Sequence, residues 1–214
     1  MGIRIKRIAL AVALGLVLLL TALLVRTARF TSRQLPSEPA AQLPVDTAAA
    51  AERLAGSLRF RTISFEDPAQ REEEQFAALR EYLQVSFPRV HGALGREVVG
   101  QGALLYTWSG SDPSLRPILL MGHMDVVPVE PGTEGQWTHP PFAGRIADGY
   151  VWGRGAMDDK LGVLGLLEAA ELLLVQGHQP RRTIYLAFGA DEEVGGAEGA
   201  VRIASLLASR GVGL

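Results

Sequence analysis

Apolar and polar positions divide the chain into an apolar N-terminal stretch and a longer region of mixed pattern. Residues 8–25 are uncharged and almost entirely apolar, and as a helix they would be about 27 Å long, close to the thickness of a membrane's hydrocarbon core. The length of this run, and the lack of a convincing small-x-small cleavage site, favour an uncleaved signal anchor. A cleaved signal peptide is the alternative. Basic residues flank both ends, so charge gives little help with orientation.

Beyond this run the pattern predicts alternating helices and strands. Residues 1–7 are a basic N-terminus, and residues 26–44, with three prolines, are expected to be an extended stalk before a domain at 45–214. Strands alternating with helices predict an α/β fold with an open, mostly parallel sheet flanked by helices. The predicted elements are a helix from Asp46 to Leu58, a helix from Asp67-Pro68 to before Pro88, a strand or hairpin at 97–108, a central strand at 118–121, a hairpin at 145–152, a buried helix at 161–175 ending at Gly177, a core strand at 183–188 and a helix at 198–209.

Charge and cysteine content exclude several classes of function. Residues 1–33 hold six basic residues and no acid, which leaves 15 basic against 23 acidic residues in the rest of the chain. Such an acidic remainder argues against a nucleic-acid partner, which needs a basic face. The absence of cysteine excludes disulfides, thiolate nucleophiles and cysteine-ligated zinc.

A histidine and an aspartate follow the apolar run at 118–121. His123 and Asp125 are spaced i, i+2, so their side chains point the same way in extended chain. A neutral imidazole can bind a metal ion, and a neighbouring carboxylate can orient the ring. By itself the pair is weak evidence for a metal site.

Two acidic clusters occur downstream. Asp158 and its neighbour Asp159 precede the helix at 161–175, where they could cap the helix or, alternatively, Asp158 could bridge two metal ions. A dinucleotide-binding loop is rejected, since it needs glycine where Asp158 stands. Glu192 and Glu193 leave the strand at 183–188 and run into a glycine pair. They are either a solvated turn or a metal ligand beside a general base.

In this order and spacing, the three motifs resemble the di-zinc amidohydrolase and exopeptidase family of aminoacylase, carboxypeptidase S and glutamate carboxypeptidase. The resemblance covers about residues 45–214. Within this family the similarity is greatest to the branch of carboxypeptidase S and N-fatty-acyl-amino-acid synthase/hydrolase. The segments that carry this more specific similarity are 110–115, Trp137 with 140–142, and 210–212.

The resemblance implies a role for each motif residue. His123 would be a ligand of one zinc ion, Asp158 would bridge two Zn²⁺ ions, and Glu193 would be the carboxylate ligand of the other. Glu192 would be the general base, and Asp125 would orient His123. A complete site would hold two zinc ions, and the expected substrate is an N-acyl amino acid or short peptide with a free carboxylate.

The resemblance also implies a cis peptide between Asp158 and Asp159, and it suggests that further parts of the family's domain are needed. The family uses one more carboxylate ligand, a further histidine and an inserted lid domain through which it dimerises, none of which is recognised before Leu214. We judge His91, His139 and His178 to be poor substitutes for the missing ligand. The chain is thus interpreted as the N-terminal part of a catalytic domain.

These expectations leave two alternative functions for the chain. The first is a single-pass, membrane-anchored zinc amidohydrolase with its catalytic domain outside the cytoplasm, or secreted if the N-terminal run is cleaved. The second is a non-catalytic, membrane-anchored protein with an incomplete metal site.

Overall fold

The computed structural model describes residues 2–32, 34 and 43–213, which fall into two compact units divided after residue 43. In the first unit, helix α1 spans Gly2–Ala28 and contains the predicted run at 8–25. By length and composition α1 could cross a membrane, and a signal sequence near the N-terminus can have the same length and composition. The predicted stalk at 26–44 lies partly outside the described residues, which omit 33 and 35–42, and its first three residues belong to α1.

The second unit combines five helices with six strands among its described residues. Its helices are α2 (Thr47–Ser57), α3 (Glu73–Ser86), α4 (Pro88–Ala93), α5 (Lys160–Val175) and α6 (Ala200–Ser209). Its strands are β1 (Gly95–Val99), β2 (Ala103–Trp108), β3 (Ile118–His123), β4 (Arg145–Ala147), β5 (Tyr150–Trp152) and β6 (Ile184–Gly189). These bounds confirm the predicted hairpin at β4–β5, and they show that the strand or hairpin expected at 97–108 is the hairpin β1–β2.

The main sheet has four strands in the order β1-β2-β6-β3. Only β3 and β6 pair in parallel, while β1–β2 and β2–β6 are antiparallel. The α/β class is confirmed, but the expectation of a mostly parallel sheet is wrong for these strands. For β1 and β2 the reason is local: residues 100–102 form a tight turn with positive φ at Gly100 and Gly102, and so short a connection can join only antiparallel strands.

Strand β3 is an edge strand, where a central strand covered on both faces was predicted. Leu120 and Met121 are 37% and 60% exposed. The central positions belong to β2 and β6, and three consecutive β2 residues, Leu104, Leu105 and Tyr106, are fully buried. Because alternate residues of a strand face opposite sides, β2 is covered on both faces. A short apolar run looks the same in either position, so the sequence pattern did not distinguish them.

The second predicted helix is interrupted. Asp67 caps a single 3₁₀ turn at Pro68–Gln70, Arg71 is extended, and α3 begins afterwards at Glu73. The Arg71 guanidinium donates to the carbonyl oxygens of Ala190 and Gln101 at 2.7 and 2.8 Å. These contacts bind the segment to the β6 loop and the β1–β2 turn.

Three of the other helices, α2, α5 and α6, agree closely with the sequence pattern, whereas α4 (Pro88–Ala93) was not predicted. Asp46 caps α2 as predicted, with its side chain accepting from the Ala49 N–H at 3.0 Å. Helix α5 is followed by Gly177 in the left-handed region, also as predicted. However, α5 is buried on one face only, and Leu161 and Val175 at its two ends are half exposed. It packs against β3, α2 and α4, which cover that face.

Candidate metal centre

Three residues from separate segments converge at one edge of the sheet. Ligand atoms of His123, Asp158 and Glu193 all lie within 4.8 Å of one another. His123 ends β3, and Glu193 lies just after β6. Since these two strands are parallel neighbours, with His123 in register with Gly189, their carboxyl ends meet at the same edge. Asp158 reaches the same point from the residues before α5.

The donor set suits a divalent cation. The His123 Nε2 atom lies 3.0 Å from Asp158 Oδ1 and 3.8 Å from Glu192 Oε2. One imidazole nitrogen with carboxylate oxygens is a ligand combination that zinc accepts, although manganese and cobalt accept it too. The Asp158 side chain is 82% exposed, so its second oxygen remains accessible to another ligand.

Asp125 lies beneath this cluster and is fully buried. Its Oδ2 accepts from Ser64 Oγ at 2.7 Å and from the Glu193 N–H at 3.1 Å, and its Oδ1 accepts from the Glu192 N–H at 3.1 Å. The His123 Nδ1 atom lies 3.1 Å from the Asp125 backbone oxygen and 3.5 Å from Oδ1. The predicted contact with the imidazole is thus present, but Asp125 also fixes the backbone of the two glutamates, which sequence spacing did not indicate.

Charge is concentrated in the cluster. Burial alone would lower the pKa of His123, but hydrogen bonding to Asp125, the Asp125 charge and then Asp158 outweigh it and raise the pKa to about 9. Burial raises the pKa of Glu193, and its acidic neighbours add to the effect against the opposing influence of His123. A bound cation would relieve this crowding of carboxylates, and it would have to displace the His123 proton.

Asp159 connects two of the segments that carry candidate ligands. Its peptide with Asp158 is cis, as the family resemblance implied. The Asp159 Oδ2 atom accepts from the His123 backbone N–H at 3.3 Å. A Cβ atom at Gly122 would lie 2.8 Å from this oxygen, and one at Gly162 would overlap the same carboxylate. The side chain therefore fits between β3 and α5 only because both neighbours are glycines.

Lys160 follows the two aspartates directly, and the sequence predicted no role for it. It is 1% exposed, and its Nζ donates to the carbonyl oxygens of Ser57 and Phe60 at 3.0 and 2.9 Å. Burial lowers the pKa of Lys160 to about 7, against the opposing charge of Asp125. A lysine at the start of a largely apolar helix could have indicated a buried amine, but the backbone oxygens that accept from it are about a hundred residues distant in sequence.

The other three histidines lie elsewhere within the part of the chain that the structure describes. His91 Nε2 is 2.9 Å from the Tyr106 hydroxyl. The rings of His139 and His178 lie edge-on to Trp152 and Trp108, respectively. None of the three joins the candidate ligand group among the described residues.

Comparison with known proteins supports the family resemblance. Residues 119–213 match the sequence model of Peptidase family M20/M25/M40. The probable carboxypeptidase S-like 2 of Dictyostelium discoideum is 45% identical over 193 residues, which are 86% of this chain and 37% of that protein. The N-fatty-acyl-amino acid synthase/hydrolase PM20D1 of Xenopus tropicalis is 44% identical over 168 residues, 76% of this chain and 31% of that protein.

A solved structure supports the fold. Human carnosine dipeptidase 1 superposes with a TM-score of 0.60 at 21% identity, over 76% of this chain and 35% of that protein. The predicted resemblance to the amidohydrolases and exopeptidases is therefore confirmed, as is the expected α/β fold class. This chain spans about a third of the length of the relatives that it matches.

Proposed function

We propose that this chain, whose residues 119–213 match the sequence model of Peptidase family M20/M25/M40, supplies the metal centre of a zinc-dependent amidohydrolase. Its substrates would be N-acyl amino acids or short peptides, cleaved at the amide bond. The observation that carries the proposal is the convergence of His123, Asp158 and Glu193 beside the carboxylate of Glu192. The names of the relatives, a carboxypeptidase and an N-fatty-acyl-amino acid synthase/hydrolase, support the substrate class.

In this proposal each residue has a definite task. His123, Asp158 and Glu193 would hold zinc, which when bound would polarise the amide carbonyl and lower the pKa of water. Glu192 would accept the proton of the attacking water and return it to the nitrogen of the leaving amine. Its side chain is 59% exposed, so substrate can reach it, while Asp125 holds its backbone N–H.

We further propose that α1 is a signal anchor that holds the second unit on the extracytoplasmic side of a membrane. Its length and apolar composition support this, and secretion after cleavage is the alternative. Sequencing the N-terminus of the protein recovered from membranes distinguishes the two. An intact N-terminus in a fraction that resists carbonate extraction supports the anchor, whereas a new N-terminus after residue 25 contradicts it.

The experiment for the enzymatic proposal measures release of free amino acid from N-acyl amino acids by the full chain with zinc in neutral detergent. Glu192→Gln should lower kcat by about 100-fold or more, the usual contribution of a general base, without loss of bound zinc. The matched control is Glu81→Gln, at an exposed position of α3, which should leave kcat unchanged. Hydrolysis that persists in Glu192→Gln would exclude this role for Glu192.

The second candidate function is a non-catalytic protein with an incomplete metal site. The exposed edge of β3, with Met121 60% exposed, favours it because an unpaired strand edge invites association with another chain. Zinc binding without hydrolysis of any N-acyl amino acid or dipeptide would select this candidate.

A further inference from the structure

Arg71 lies just before α3, and only 12% of its side chain is exposed. One nitrogen of its guanidinium donates to the Ala190 oxygen at 2.7 Å, and another donates to the Gln101 oxygen at 2.8 Å. Ala190 begins the loop that follows β6, and Gln101 lies in the turn between β1 and β2. Arg71 therefore joins two segments that are far apart in the sequence.

The guanidinium is itself held in place. Its Nε donates to Glu73 Oε2 at 3.1 Å, and its central carbon lies 3.4 Å from the centroid of the Phe76 ring. Phe76 is 1% exposed and belongs to the hydrophobic core, so the ring is a rigid support. A guanidinium that is stacked on such a ring and paired with a carboxylate has little freedom to turn. The hydrogen bond to Ala190 therefore comes from a fixed donor.

Ala190 precedes the two glutamates of the candidate site. It is 1% exposed, and Glu192 and Glu193 follow two and three residues later. Beyond the glutamates the chain passes through Gly195 and Gly196, both with positive φ. Because glycine adds conformational freedom, this end of the loop gives the glutamates little restraint. Their position thus depends on the contact at Ala190 and on the acceptors of their own backbone N–H groups.

Arg80 of α3 has contacts much like those of Arg71, apart from the one with this loop. It donates to Glu73 Oε1 at 2.9 Å and to the Gly102 oxygen at 3.5 Å. Its side chain is 15% exposed, so the two arginines are similarly buried. Both pair with Glu73 and reach the β1–β2 turn, but within the described part of the chain only Arg71 extends to the loop after β6. Arg80 is therefore a matched control.

We propose that Arg71 is a positioning residue of the metal centre, which fixes the loop after β6 so that Glu193 can bind the metal ion with Glu192 beside it. The proposal rests on the proposed function, because that function assigns the tasks of the two glutamates. In this role Arg71 acts through the backbone at Ala190 and touches neither metal nor substrate. Partners that orient metal ligands contribute about 10- to 100-fold to metal affinity, and we expect the lower value because Arg71 acts through intervening backbone.

Amide hydrogen exchange of the metal-free full chain, in neutral detergent, measures the effect on the loop directly. Arg71→Met removes the donors and keeps an unbranched side chain over Phe76. The backbone N–H groups of residues 192–196 are all hydrogen-bonded within the site. They should exchange about tenfold faster in Arg71→Met, the factor for one lost hydrogen bond to a charged group. Arg80→Met should leave their exchange unchanged.

Zinc affinity is the second readout. Competition with a coloured chelator at pH 7 should show about a tenfold loss in Arg71→Met and none in Arg80→Met. The amides of the central strand β2 are the internal reference, because a loss of global stability would accelerate their exchange too. If Arg71→Met does not fold, Arg71→Lys keeps the charge without the planar set of donors and should give a smaller change in the same amides.

Unchanged exchange of residues 192–196, or unchanged zinc affinity, in whichever Arg71 variant folds overturns the proposal. Equal effects of the Arg71 and Arg80 substitutions also overturn it, as does faster exchange throughout β2, since either result would show a merely structural role. Failure of the proposed function is measured separately, as absence of hydrolysis by the zinc-loaded parent. In that case the exchange of residues 192–196 still decides whether Arg71 positions the loop.

Discussion

Replacing Asp125 with asparagine removes one charge from beneath the metal centre while preserving the size of the side chain. In the native protein both carboxylate oxygens accept backbone N–H groups, from Glu192 and Glu193, and one also accepts from the Ser64 hydroxyl. An asparagine amide offers one oxygen, and its NH₂ group would face a donor. Whichever way the amide is oriented, at least one backbone N–H loses its acceptor.

The expected cost follows from these contacts. A buried N–H left without an acceptor costs about 1–3 kcal/mol, and each remaining bond loses its charge assistance. We therefore expect Asp125→Asn to lower the free energy of unfolding by about 3 kcal/mol. Zinc affinity should fall by about 10- to 100-fold, as is usual when the partner of a ligating histidine is changed.

Both quantities are measurable on the full chain in neutral detergent. Urea unfolding can be followed by tryptophan fluorescence, because all three tryptophans lie in the second unit. Zinc affinity can be measured by competition with a coloured chelator at pH 7. The control is Asp148→Asn, at an exposed hairpin turn with φ of 54°, a backbone conformation that asparagine tolerates. A change of less than about 0.5 kcal/mol with unaltered zinc affinity, similar to a neutral surface substitution, would refute this account of Asp125.

Three other predictions concern the same site. Gly162→Ala should destabilise the protein and weaken zinc binding, because its Cβ would overlap the Asp159 carboxylate. The control Gly165→Ala, one helical turn away in open space, should be neutral or stabilising, and equal effects of the two substitutions on urea unfolding would contradict this. In metal-free protein, Lys160 has a pKa of about 7 when folded and 10.5 when unfolded, so the unfolded state binds more protons between these values. The free energy of unfolding of wild type relative to Lys160→Met should therefore rise with pH across that window. A constant difference would be inconsistent with a buried amine whose pKa is lowered. Zinc at 100 times its dissociation constant should raise the free energy of unfolding by about 2.7 kcal/mol, and the increase should vanish with a chelator and be absent in a His123→Ala variant.

Local features of the fold were predictable because their causes are local. Asp46 caps α2, and Gly177 follows the end of α5, each through interactions within one or two turns of chain. The β4–β5 hairpin also followed from the residues at its turn, Asp148 and Gly149. By contrast, the break before α3 depends on Arg71 reaching carbonyl oxygens on two other segments, and a propensity pattern carries no information about such contacts.

The sequence could indicate the ligand types of the site, but it could not supply the hydrogen bonds that position them. Asp125 was expected to orient His123, and its additional bonds to the Glu192 and Glu193 backbone appear only in the folded chain.

By itself, the sequence determined the caps and turns of the flanking elements, and it indicated the candidate ligands of the site, one imidazole and several carboxylates. Only the tertiary structure decided that β3 lies at an edge beside β6, and that His123, Asp158 and Glu193 come within 4.8 Å of one another. The physical reason is the distance along the chain between the residues that interact. Caps, turns and side-chain periodicity depend on neighbours a few residues apart, whereas strand order and ligand distances depend on packing between segments that are 35 or more residues apart in the chain.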